Sequence, residues 1–452
     1  MEETTFRDWG GLPGDLLTCI GERLDLSGGL CFRGVCRSWS AALPAIMPSP
    51  WLVIPDGPDI GERDRFTMLS LPTLSPMRWR LEHQSCVGSS DGWLALVDPC
   101  LAITLLNPLT NAEPAVRLPP LGPFRRESFR GRCIPHFVPM SPDGTLRILT
   151  PRDRRIFESA QRLFVQRVAF APNPTAQDYA VAVLCRDGHG MAFTTAGGGG
   201  WQWLDWPDAA GRAATPAVVC QGSEPVYVNR DLDLVYHGGK FYYTTLCGTV
   251  WALDPAAAPP VAPVPFAKLR PPGPDHRHYG KHLVFAGEEN DGALHVVWSD
   301  VPGRHDATRG RTRRICVRRY DPAATRARRW RKVRHLGGRA FLIGGRSQSV
   351  AVSVPVPASS SPSTWLRPNC VYFTDITPGS DDIWTWEYLP EPEIWEFDVV
   401  ADSFRACHRG GEELEWLDWL KAIWFTPRVR RGSTTPTNQI VPFSQDLPEF
   451  FI

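Results

Sequence analysis

The chain has 452 residues, room for two or three domains or for one large repeat domain with an appendage. Its 49 Lys plus Arg against 48 Asp plus Glu leave a net charge of +1, which excludes a globally electrostatic binder of nucleic acid or anionic membrane and confines such binding to a local patch. With 43% apolar and 21% charged residues the chain is neither wholly disordered nor fibrous, and its 44 Pro, 39 Gly and 18 Trp point to many turns and aromatic anchors, hence to β architecture.

Residues 12–24 place Leu16, Leu17, Ile20 and Leu24 on one helical face, with Pro13 in the first turn, where its missing N–H is harmless. Asp25 to Gly29 break this helix, and Leu30, Phe32, Val35, Cys36, Trp39 and Leu43 supply two further short helices ending near Pro44. A unit of that size buries little surface by itself and gains stability by docking on something else.

The pattern Leu12-Pro13, Leu16-Leu17, Ile20, Leu24, then Leu30, Arg33, Val35-Cys36-Arg37 and Trp39, over residues 8–47, resembles an F-box. The resemblance implies docking on the Skp-type adaptor of a cullin-RING ubiquitin ligase. Leu12, Pro13, Leu16, Leu17, Ile20, Leu24, Val35, Cys36 and Trp39 would then divide between adaptor contact and internal packing, a division the residues leave open. Gly21, Gly28, Gly29 and Gly34 depart from the pattern, each costing up to about 1 kcal/mol in a helix interior. The competing reading is a three-helix cap that buries its stripe against its own chain.

From residue 50 onward, period-two apolar runs bounded by turn residues recur: Gly92–Val97, Ala102–Leu106, Tyr179–Leu184, Leu232–Tyr236, Lys240–Thr245, Leu294–Trp298, Ile315–Val317, Phe341–Ile343, Ser349–Val354 and Cys370–Phe373. Without crossover helices these strands are expected to pair antiparallel. A weak internal repeat shares one scheme of turn, alternating strand, turn and strand: Asp91 to Asp98, Tyr236 to Tyr243 with Gly248 to Asp254, and Asp291 to Trp298. Repeated meanders of this kind stack radially, so residues 50–430 read as a β-propeller of six to eight antiparallel blades, with 431–452 as a C-terminal tail. Trp51–Ile54 or the Ile423-Trp-Phe425 region is expected to supply the closing strand.

Ser85 to Leu94, Leu105 to Thr110, Gly238 to Tyr243 with Gly248 and Asp254, Arg329 to Val333 leading to Phe341-Leu-Ile-Gly344, and Asn369 to Asp375 occur in the order seen in the KIB-type β-propeller domain of plant F-box proteins, and this part of the chain resembles that domain. The resemblance implies a mainly β fold preceded by a small three-helix F-box, and a non-catalytic substrate receptor of an SCF-type ligase whose propeller holds a client protein. Two alternatives stand beside it, a protein-binding scaffold with a degenerate F-box and a propeller enzyme. The receptor reading expects mainly apolar and backbone lining in the central channel; the enzyme reading expects converging carboxylates, His or Tyr.

Residues 304–334 hold thirteen Arg or Lys against Asp306 and Asp321. Arg313, Arg314, Arg318, Arg319, Arg329 and Arg331 thus mark a basic patch suited to an acidic client, a phosphate or an import receptor, with nucleic acid a lesser expectation and a solvated hairpin the competing reading. The Pro-rich stretch 255–274 is expected to be an extended insertion, and Gly197 to Gly200 a turn rather than a phosphate cradle. His276, His278 and His282 form the densest imidazole cluster but lack Cys or paired carboxylates, so no metal and no cofactor is expected. Strand aromatics such as Trp93, Tyr242 and Trp298 are expected in the core. The twelve Cys form no C-x-x-C pair, no signal peptide is apparent and no run has membrane-span length, giving an expectation of a cytoplasmic or nuclear protein with reduced thiols.

Overall fold

The computed structural model describes residues 9–21, 23–24, 32 and 35–42 of the N-terminal segment. In the body it describes 50–55, 65–71, 76–80, 85–98, 101–109, 115–121, 165–185, 191–204, 206–207, 213–214, 220–221, 224–225, 233–244, 248–257, 261–269, 279–287, 292–300, 315–325, 328–344, 347–354, 365–374, 393–409 and 422–427. Among these residues six sheets of four or five strands form the blades of a β-propeller, at the lower end of the expected blade number. Blade 1 runs outward as Ile423–Phe425, Trp51–Pro55, Arg65–Ser70 and Pro76–Arg80. Blades 2 to 5 begin with Ser85–Ser90, Val165–Phe170, Leu234–His237 and Tyr279–Ala286, and each continues as a four-stranded meander.

Period-two alternation is what makes this stack possible, because each strand sends successive side chains into two different inter-blade cores. Trp51 and Val53 pack towards blade 2, whereas Leu52 and Ile54 pack towards blade 6. In blade 2, Leu94 and Leu96 join the core shared with blade 1, while Trp93, Ala95 and Val97 join that shared with blade 3. Blades 3 and 4, 4 and 5, and 5 and 6 are sealed in the same way. At about 25 cal/mol per Å² of apolar surface removed from water, these six seams supply the main driving force for the ring.

Turn chemistry matches the strands it joins. Asp91 (φ 48°) and Gly92 (φ 85°) form the two-residue link between Ser90 and Trp93, and Gly238 (φ 54°) with Gly239 (φ 81°) links His237 to Lys240. Positive φ at both central positions is the hairpin geometry whose twist suits paired strands.

Both segments expected to close the ring do so together: Trp51, Leu52 and Val53 pair antiparallel with Phe425, Trp424 and Ile423. Two expectations are corrected. Blade 6 is not wholly antiparallel, since Arg339–Ile343 pairs parallel with Cys370–Phe373 while Val350–Ser353 turns back along its other side. The Pro-rich stretch is not merely an insertion either: Val264–Lys268 forms the outer strand of blade 4, with Pro265 opposite Trp251 at a register shift. An outer edge tolerates Pro because one side of the strand has no ladder to complete. Gly197 to Gly200 lie in the turn between Met191–Thr195 and Gln202–Leu204, as expected.

Candidate functional site: the N-terminal apolar face and the propeller hub

Two α-helices and a single 3-10 turn, Trp9–Gly11, are described in the N-terminal segment. Helix α1 spans Gly14–Gly21 and α2 spans Arg37–Ala42; residues 25–31, where a further helix was expected to begin, lie outside the described residues. Asp15 in the first turn of α1 complements the helix dipole. The Leu17 N–H donates to Pro13 O at 3.1 Å, and Thr18 Oγ1 bonds both Gly14 O (2.8 Å) and Ala42 O (3.1 Å), tying α1 to α2. Trp39 Nε1 donates to Trp9 O at 2.8 Å, and the Trp39 ring lies 4.4 Å from that of Phe32.

These ties sort the nine candidate residues. Leu17 (1% exposed) and Phe32 (4%) form a small core against which Leu12, Trp39 and Ala42 pack, and no described propeller residue belongs to it. Leu16 (50%), Ile20 (42%), Leu24 (37%) and Val35 (56%) instead face outward, Pro13 is exposed and Cys36 half-buried. The four-residue spacing of Leu16, Ile20 and Leu24 makes one apolar stripe, and Leu17 leaves the face on which the sequence pattern had placed it. Trp9, also exposed, and Thr18 were not among the expected residues. A tryptophan upstream of the first helix and a lone threonine carry no periodic signal.

The hub is polar, against the expectation of apolar and backbone lining. Arg167, on the innermost strand of blade 3, forms a buried ion pair with Asp233 just before blade 4, and its Nη2 donates to Gly344 O of blade 6 at 3.1 Å. The Asp233 carboxylate also accepts from the N–H groups of Leu234 (2.7 Å) and Leu283 (2.6 Å). Burial pushes that carboxyl above its ordinary range, opposed by the Arg167 guanidinium and these N–H groups. Gln348 accepts from the Tyr236 N–H (3.3 Å) and donates to Ser90 Oγ (2.9 Å), while Ser89 Oγ donates to Trp424 O of the closing strand. Gly344 O and the Gln348 side chain thereby bond blade 6 to blades 2, 3 and 4. Crowding there is severe: a Cβ at Gly88 would meet Val168 O at 2.6 Å.

Two histidines of blade 5 have strongly altered titration, His282 near Arg167 and His295 beside the Phe341 ring. Burial drops His282 to about 3, with the Arg167 charge adding to the effect, and drops His295 to about 4. His276 and His278 fall outside the described residues, and among those described no three His, Cys, Asp or Glu could hold a metal. A second charged cluster is spent internally in blade 6: Glu396 accepts from Arg367 (2.7 Å), Tyr372 (2.7 Å) and Arg405 (2.6 Å). Burial would raise this carboxyl, but those bonds and charges hold it below the usual carboxylate range. Trp93, Trp298 and Tyr242 are buried in the inter-blade seams, as expected.

Of the basic patch, Arg313 and Arg314 lie outside the described residues. Arg318 and Arg319 end the third strand of blade 5, Ile315–Tyr320; Arg331 lies on its outer strand, Trp330–Lys332, and Arg329 directly precedes it. No described helix is long and apolar enough to cross a membrane.

A putative F-box protein of Arabidopsis thaliana is 27% identical over 124 residues, 26% of this chain and 30% of the relative, so the chain spans under a third of that relative's length. Among solved structures, the β-propeller domain of Cps50 (Swd1) from Myceliophteria thermophila is 11% identical, with 60% of this chain and 68% of that one covered at a TM-score of 0.28. The dihydro-heme d1 dehydrogenase NirN is 12% identical, with 80% and 61% covered at a TM-score of 0.30. The profile of the KIB1-4 beta-propeller matches residues 58–393, which takes in strands of all six blades. A match over that much of the sequence, on a chain folded into meander blades, makes this protein a member of the KIB1-4 beta-propeller family.

Proposed function

We propose that the chain is the substrate-recognition subunit of an SCF-type cullin-RING ubiquitin ligase, in which residues 8–47 dock the Skp-type adaptor and the propeller holds a client protein. One observation carries the reading: Leu16, Ile20, Leu24 and Val35 stand outward while Leu17 and Phe32 fill the segment's own core. An ordinary cap would turn its apolar stripe inward against its neighbour; here the stripe is offered to solvent, where its burial on a partner would release about 1 kcal/mol for each half-exposed side chain. The F-box relative supports the same assignment. The chain itself performs no chemistry in this reading. Ubiquitin transfer belongs to other subunits, and the gain is the raised effective concentration of client near the loaded conjugating enzyme. The polar hub fits a structural role, since the Asp233 carboxylate is occupied by Arg167 and two backbone N–H groups.

Affinity purification of the full chain from plant cells tests this. The adaptor and cullin should copurify with the wild type and be lost with Leu16→Asp/Ile20→Asp, while near-ultraviolet circular dichroism of the body stays unchanged. A wild-type chain that recovers neither subunit overturns the ligase reading and leaves the scaffold reading in its place.

A further inference from the structure

The outer half of blade 5 carries a charge arrangement that packing alone does not account for. Across its last two strands Arg319 stands opposite Arg331, cation against cation, and the exposed Lys332 stands opposite Arg318, which has contacts of its own. Like charges directly opposite one another on a sheet oppose its formation. Arg328, Arg329 and Arg334 flank these pairs, all exposed, and Arg339 begins the next blade. From 315 to 339, Asp321 is the sole acid among the described residues; it pairs with Arg331 at 3.3 Å in an exposed contact, worth at most about 1 kcal/mol. Arg319 and Arg339 bear on His295, adding to the fall that burial imposes on it.

We propose that this rim of blade 5 binds an extended acidic segment of a partner polypeptide. The partner's chemistry follows from three features. Guanidinium forks match carboxylates in paired hydrogen bonds. Among the described residues Trp330–Lys332 is the last strand of its sheet, so its outward backbone groups can pair with an added strand, whose alternate side chains fall on one face and meet the Arg319–Arg331 pair. Bases, in contrast, have no platform: Tyr320 is buried, and Trp330 is half-buried with Nε1 donating to Lys268 O at 2.7 Å. An import receptor reads extended basic chain, whereas these arginines are held in paired strands. The inference stands whether or not the N-terminal helices dock an adaptor.

Fluorescence anisotropy on the purified full chain tests it with three labelled probes: a short Glu/Ser peptide, its Gln/Ser counterpart and a single-stranded oligonucleotide of similar length. The Glu/Ser peptide should bind, weaken as salt rises, and bind at least about tenfold less to Arg319→Gln/Arg331→Gln, the scale of one or two charge-assisted bonds lost. That variant should melt close to wild type, because the repulsive cross-strand pair goes together with the exposed Arg331–Asp321 ion pair. Lys332→Gln/Arg334→Gln provides an independent second variant with the same expected loss. Equal binding of the Gln/Ser peptide, undiminished binding by both variants, or absence of binding would each overturn the proposal. Tighter binding of the oligonucleotide would overturn it in favour of nucleic acid.

Discussion

Gln348 Nε2 and Ser90 Oγ, 258 positions apart in sequence, lie 2.9 Å apart across the middle of the ring. Blade 6 and blade 2 are not neighbours, so this bond spans the axis rather than a seam. With Arg167 reaching Gly344 from blade 3, the hub is held by the chain's own loop.

The Arg167–Asp233 pair therefore sits where a loss is least forgiving. Arg167→Ala leaves a buried carboxylate without its cation and frees Gly344 O, an effect of about 3–5 kcal/mol, whereas Arg167→Met/Asp233→Asn should recover part of it, because the amide is neutral and its oxygen still accepts a backbone N–H. Urea unfolding midpoints of both variants check this. Equal destabilisation by the two would show that the charge balance is not the cause.

Trp424 is buried between blades 1 and 6 and donates from Nε1 to Ile343 O at 2.9 Å, so it joins the closing strand to the last blade. Trp424→Ala should cost about 3–5 kcal/mol. Because the strand pairs with Trp51–Val53, hydrogen exchange should accelerate in both segments together. Exchange that rises near residue 424 alone would contradict a shared closure.

His295 and His282 make the ring sensitive to acid. Both are held neutral in the fold, at about 4 and about 3, while in the unfolded chain they take up protons below about 6.5. Their contribution is complete above that pH and declines as pH falls towards those folded values, by about 1.4 kcal/mol per pH unit for each histidine. His295→Gln should flatten the fall in melting temperature between pH 6.5 and 4. An unchanged pH profile would remove His295 from the account.

Leu16 and Leu17 are adjacent yet should behave oppositely. Leu17→Ala empties the centre of a very small core and should unfold residues 9–42, at a cost of about 2–5 kcal/mol. Leu16→Ala should leave helix content unchanged, since its side chain is largely in solvent. Helical circular dichroism of the two variants separates them, and equal losses would place Leu16 in the core.

Strands with apolar residues on both sides were readable from sequence because each feeds two seams: Trp93–Val97, Ala102–Leu106 and Cys370–Phe373 appear close to where alternation put them. Trp330–Lys332 and Val264–Lys268 escaped notice because outer strands are polar or Pro-bearing and touch one seam weakly. Gly344 and Gln348 read as ordinary loop positions; their bonds to Arg167, Tyr236 and Ser90 come from three other blades, a fact of tertiary placement. Spacing likewise revealed the apolar stripe of α1 but not the split between Leu16 and Leu17, which depends on Phe32 arriving from a distant turn.

The pairing of Trp51–Val53 with Ile423–Phe425 also sets a timetable for birth on the ribosome. At about 5–20 residues per second, the first blade waits roughly a third of a minute to over a minute for its missing inner strand to be synthesised. During that interval Leu52 and Ile54 have no seam to enter, so nascent chains carry a sticky, unmatched flank that chaperones must shield until Ile423–Phe425 emerges.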